Sequence, residues 1–192
     1  PQSYLGDDVI LGIVDSGIEL DHPDFQFEDG IELDHPDFQF EDGTTRVLSL
    51  WDHRQPEDDP FRVPEPYGYG QEWNSEDINL EITGHEGTFF GHGSNVAGIA
   101  AGNANATGEL TGVAPNADLI VVQTNFDLPN WTSTIADAIE FIFDKADELG
   151  KPVVVNLSLG TYSGSRDGLD ASALRIDEMV QEQPGRVVVS AA

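Results

Sequence analysis

The 192-residue chain contains no cysteine, so no disulfide staples the fold and the redox compartment stays open. Positive charge is nearly as scarce. Lys145 and Lys151 are its two lysines, six arginines complete the cations, and 36 acidic residues bring the net charge to −28. A surface so poor in cations cannot neutralise a phosphate backbone, which excludes nucleic acid as a partner. No apolar run reaches the length of a membrane span, so no membrane partner is expected. No Gly-x-Gly-x-x-Gly follows a candidate strand, and the charge opposes phosphate binding, which disfavours a nucleotide-binding domain. No His-Glu-x-x-His or comparable spacing appears, so no catalytic metal is expected.

Such an excess of one sign repels itself at low salt and is relieved by screening. A salt-adapted source is the reading this supports, and the thermal midpoint should then rise with added NaCl. A midpoint indifferent to salt would overturn that reading.

What is present is a globular composition. Hydrophobic residues make up 39% of the chain, and the length suits one domain over 1–192 with a sizeable core. The organising stretch is 9–17, VILGIVDSG. Its β-branched run without polar alternation suits a strand buried on both faces, and Asp15 stands where the strand runs out. Ligands collect at the carboxyl ends of strands in open α/β sheets, so a carboxylate fixed there is a candidate for chemistry. Capping of the following turn is the plainer role for such an aspartate.

Next comes a perfect tandem repeat: residues 18–30, IELDHPDFQFEDG, recur as 31–43. The second copy adds five acids (Glu32, Asp34, Asp37, Glu41 and Asp42) and so does not explain a charge of −28. One copy must loop out, at a closure cost of about 1–2 kcal/mol. Covalent adjacency to the Asp15 strand favours 18–30 in the folded position. Residues 46–52 read as a strand or extended arm. The segment 44–90, rich in Pro, Gly and acids, reads as a long surface insertion, with a short helix near 77–80 and with Trp51, Tyr67, Tyr69 and Trp73 packing it.

Residues 91–102, GHGSNVAGIAAG, are small enough for a helix pressed against a sheet, with His92 in its first turn. Residues 117–123, 152–158 and 186–192 read as three further buried strands. Between them, 131–149 places Ile135, Ile139, Ile142, Ala146 and Leu149 on one helical face. A second helix places Leu169, Ala173, Ile176 and Val180 likewise. Strands alternating with helices predict an α/β, doubly wound parallel sheet.

Asp15 and His92 make an obvious pair, because an aspartate beside an imidazole fixes its tautomer and stabilises the imidazolium. Asp15-Ser16-Gly17 with His22-Pro23-Asp24, and His92-Gly93-Ser94-Asn95-Val96-Ala97-Gly98, resemble the aspartate and histidine motifs of the subtilisin-like serine proteases, the subtilases. Gly112-Val113-Ala114-Pro115 is similar to the family segment leading into a core strand. Asn156-Leu157-Ser158-Leu159-Gly160 resembles the strand that pairs with substrate backbone. The resemblance covers 9–24 and 91–192, in the chain order Asp then His that subtilisin follows.

The resemblance implies a three-layer, Rossmann-like subtilisin fold, incomplete at its C-terminal end. It implies a serine endopeptidase with polypeptide substrates, secreted or at the surface of a bacterial cell. Asp15 and His92 would be catalytic. Ser158, Leu159 and Gly160 would bind substrate as an added strand, with 126–131 as the facing edge. No cofactor is implied for catalysis, although subtilases often carry structural calcium and Asp24 matches a family ligand position. Ser94-Asn95 stands in place of the family's Thr-His, and the interval from Asp15 to His92 exceeds that of compact subtilisins. The nucleophile motif Gly-Thr-Ser-x-Ala and the oxyanion asparagine do not occur in 1–192. Ser94, Ser158 and Ser190 belong to other segments; Ser190 is expected within a buried strand. These residues alone are therefore expected to be inactive, as the N-terminal part of a catalytic domain. A non-catalytic subtilase-like module that binds peptides is the alternative. Oligomeric state is not legible.

Overall fold

The computed structural model describes residues 4–18, 36–85, 91–105, 108–161, 165 and 167–191. The organising strand, β1 (Ile10–Asp15), lies between two other apolar strands, β4 (Asp118–Gln123) and β5 (Val153–Leu157), and is parallel to both. Outward from β4 come β2 (Val47–Asp52), parallel, and β3 (Gln71–Asn74), antiparallel to β2. Outward from β5 comes β6 (Arg186–Ser190), parallel. The order β3-β2-β4-β1-β5-β6 is the expected doubly wound sheet, with one antiparallel strand at one edge.

Strand parity decides which face each side chain serves. Ile10 and Val14 of β1 join one core cluster, with α3 (Trp131–Glu148) and α4 (Ala171–Glu182). Leu11 and Ile13 join the other, with α2 (His92–Ala101) and Ile78 of α1 (Ser75–Asn79). Asp15 follows the parity of Leu11 and Ile13, so it projects on the face that α2 covers. α3 buries Ile135, Ile139, Ile142 and Ala146 as its periodicity predicts. It ends in a Schellman closure, where Gly150 N–H donates to Asp147 O and Lys151 N–H to Ala146 O. Leu149, at the cap, is half exposed rather than on the buried face.

Three other expectations are corrected. Within 44–85 the chain does not stay at the surface, because it supplies β2 and β3 to the sheet and buries Trp51 and Trp73. The polar composition of this segment reflects the loops between those strands. Within residues 1–192 the strand 186–190 pairs with β5 alone, and Val187, Val189 and Ser190 are exposed where a buried strand is expected. Leu169 precedes the Asp170 cap of α4 and is exposed, leaving Ile176, Met179 and Val180 to pack that helix.

Part of the repeat is held by tertiary anchors. Of the first copy only Ile18, buried, lies within the described residues. The second copy's Pro36–Phe38 forms a 3-10 turn that is built into the fold, with Phe38 in the α2-side core. Asp37 O accepts from Asn103 N–H at 3.3 Å and from Arg46 Nη1 at 2.8 Å. Arg46, itself buried, also donates to Ala101 O at 2.7 Å and Ala117 O at 2.5 Å. The guanidinium thereby ties the turn to the end of α2 and the start of β4. These contacts belong to residues 36–43 of the second copy; the expectation for 18–30 lies, beyond Ile18, outside the described residues.

On the α3 side, Trp51 stacks among Tyr67, Tyr69 and Phe141, and its ring stands edge-on to His53 at 4.1 Å between centroids. Neither ring nitrogen of His53 has a hydrogen-bond partner among the described residues. Burial pushes its pKa down from 6.5 to about 4. An unfolded chain takes up this proton near pH 6.5, so stability should fall by up to about 3 kcal/mol as pH drops from 6.5 towards 4. His53→Phe keeps a ring in the cluster and should flatten that part of the curve in urea denaturation at stepped pH. Equal slopes in the two proteins would refute it.

Candidate active site

The carboxyl ends of β1, β4 and β2 meet above the α2 face, each ending in a polar residue: Asp15, Gln123 and Asp52. β1 turns away through Ser16 and Gly17. Gly17 has φ +91, and a Cβ there would lie 2.8 Å from His85 Cε1, so only glycine makes this turn without strain. Asp15 is almost wholly buried. Its Oδ1 accepts from Ser16 N–H at 2.7 Å, and Asp15 O accepts from Thr124 N–H at 2.8 Å.

The chain returns to this point at Gly91, in left-handed conformation, which opens α2 with His92 as its first residue. His92 Nδ1 lies 2.7 Å from Asp15 Oδ1. That oxygen already accepts a backbone N–H, so Nδ1 donates. A neutral ring then leaves Nε2 with a free lone pair. The aspartate is 2% exposed and the imidazole 55% exposed, so the carboxylate is sealed while the ring meets solvent. This is the arrangement of an oriented general base.

Small residues permit it. Gly93 N–H donates to Ser16 Oγ at 3.2 Å, and a Cβ on Gly93 would fall 1.9 Å from Gly17 O. The N-terminus of α2 is thus in direct backbone contact with the Asp15 turn.

The third expected group lies beside this pair. Ile13 of β1 is in register with Asn156 of β5, so continuing the register past Leu157 brings Ser158 level with Asp15. Ser158 Oγ accepts from Asn156 Nδ2 at 2.9 Å, and the segment through Gly160 is partly exposed, with Gly160 open. Across β4, Phe126 and Trp131 pack edge to face at 5.1 Å between centroids. Asp24, His22 and His35 lie outside the described residues. Among those described, no cluster of three or more His, Cys, Asp or Glu could hold a metal ion.

Sequence reasoning missed one feature. The side chain of His85 is fully buried between Asp52 and Ile18 O, at 2.9 Å from each. A signal did exist. VLSLWD ends on an acid as ILGIVD does, so both β2 and β1 deliver a carboxylate to the same end of the sheet.

Known proteins resemble this chain in sequence and fold. A family model described as the Subtilase family (Peptidase_S8) matches residues 6–192. The PI-type proteinase of Lactococcus lactis subsp. cremoris is 30% identical over 197 aligned residues, covering 98% of this chain and 9% of that protein. The solved CspB protease of Clostridium perfringens superposes with a TM-score of 0.74 at 25% identity, over 98% of this chain and 36% of that one. Sphericase superposes with a TM-score of 0.60 at 20% identity, over 100% of this chain and 48% of that one, a likeness of fold. The chain thus spans less than half the length of each.

Proposed function

The chain belongs to the subtilase family, and from that premise we propose that it carries the acid–base half of a serine endopeptidase site. The observation that carries this reading is the 2.7 Å contact between buried Asp15 and exposed His92. Asp15 holds the ring with Nδ1–H inward and Nε2 outward. Nε2 takes the proton of a serine hydroxyl as that oxygen attacks the scissile carbonyl, and later returns it to the leaving amine. Asp15 offsets the charge of the imidazolium between those steps. The nucleophile and the oxyanion asparagine are not among residues 1–192, so these residues alone hydrolyse no peptide bond by this route. Ser158, Leu159 and Gly160 receive a polypeptide substrate as an added strand beside β5, through backbone hydrogen bonds. We place the enzyme outside the cell, secreted or surface-held.

The test is hydrolysis of an unstructured, fluorescently quenched protein by the full-length protein. His92→Ala should lower kcat on the order of 10⁶-fold, a loss typical of a triad histidine, with the circular dichroism spectrum unchanged. A folded His92→Ala variant that still cleaves would refute the assignment. Peptide binding without cleavage by the unaltered protein would favour the non-catalytic module. Turnover by residues 1–192 that vanishes with His92→Ala would overturn the claim that they are inactive alone.

A further inference from the structure

We propose that Asp52 and His85 form a second histidine–aspartate couple, wholly buried, that positions the Asp15 turn by clamping the backbone at Ile18. This builds on the hydrolytic reading above and assigns His85 a positioning role, since it touches no reacting atom.

His85 Nε2 lies 2.9 Å from Ile18 O, a carbonyl that can only accept, so Nε2 carries a proton. His85 Nδ1 lies 2.9 Å from Asp52 Oδ2. Asp52 Oδ1 accepts Arg54 N–H at 2.8 Å, and Oδ2 receives the Gln55 amide at 3.4 Å. An ionised carboxylate can only accept, so Nδ1 must also donate. Both ring nitrogens are therefore protonated, and the imidazolium is sustained in the interior by the carboxylate it touches. His53, one residue beyond Asp52 and also buried, has no such partner among the described residues and stays neutral.

The clamp acts on the segment the reaction depends on. β4 holds the near end of the turn through Thr124 N–H on Asp15 O, and α2 holds its middle through Gly93 N–H on Ser16 Oγ. His85 holds the far end, at Ile18 O. Gly17 leaves room for the imidazole edge to close against the turn. The clamp is itself braced, because Gln55 Nε2 also donates to Gly84 O at 2.6 Å, next to His85. Release of Ile18 O would let the Asp15 carboxylate shift relative to His92. That displaces an acid–base pair without touching the groups that bind substrate.

The full-length protein provides the test. His85→Ala and Asp52→Leu should each lower kcat about 100-fold with KM nearly unchanged, the scale of a misplacement near 1 Å. Asp52→Asn should lose less, about 10-fold, since its amide donates to a neutral ring that still donates to Ile18 O. Imidazole ¹H–¹⁵N correlation spectra should show protons on both His85 nitrogens, and on Nε2 alone in Asp52→Asn. An unprotonated ring nitrogen in the unaltered protein would overturn the proposed couple, even if His85→Ala does not fold. So would a folded His85→Ala enzyme with unchanged kcat while His92→Ala abolishes cleavage. Cleavage that survives His92→Ala would instead overturn the hydrolytic reading itself.

Discussion

Asp15→Asn should lower kcat for peptide hydrolysis by about 10⁴-fold, with KM little changed. The local hydrogen bonds explain how. Asp15 Oδ1 accepts from both Ser16 N–H and His92 Nδ1, so an asparagine would keep its carbonyl oxygen there. Its amide group then falls where Oδ2 stands, a buried position with no hydrogen-bond partner among the described residues. The His92 ring keeps its orientation and its tautomer. What is lost is the negative charge that stabilises the imidazolium once Nε2 has taken the proton. Loss of charge without loss of geometry predicts a fall in kcat with an unaltered complex of enzyme and substrate. Steady-state kinetics on the full-length protein would decide, and a loss below tenfold would mean that Asp15 has no electrostatic part in the reaction.

The Asp15–His92 pair was legible because each member has a local signature. An apolar strand that ends on an acid, and a run of small residues opened by a histidine, are properties of neighbouring residues. The His85 clamp has no such signature. Its partners are 33 and 67 residues away, and one of them is a backbone carbonyl, which every residue possesses. The contact of Arg46 with Asp37 O was illegible for a related reason, since it forms only when α2 and β4 are in place.

Gly93→Ala should destabilise the fold by about 3 kcal/mol and lower kcat/KM by at least about 100-fold. An added methyl would fall 1.9 Å from Gly17 O and 2.9 Å from Gly17 C, well inside contact distance. One side must move. The Gly17 carbonyl lies between two anchored points, Ser16 Oγ under Gly93 N–H and Ile18 O under His85. The strain therefore passes to α2, whose first turn must lift from the sheet and take His92 with it. A hydrogen bond of 2.7 Å does not survive a lift of 1 Å, so stability and catalysis should fall together. Gly98 supplies the control. It lies one and a half turns further along α2, and a Cβ there meets nothing within 4 Å among the described residues. Gly98→Ala should stabilise the protein by about 0.5–1 kcal/mol through helix propensity, with kcat/KM unchanged. Urea denaturation of the two variants separates the explanations. If both lose stability alike, α2 is intolerant of any side chain, and the contact between Gly93 and the Asp15 turn is not what fixes His92.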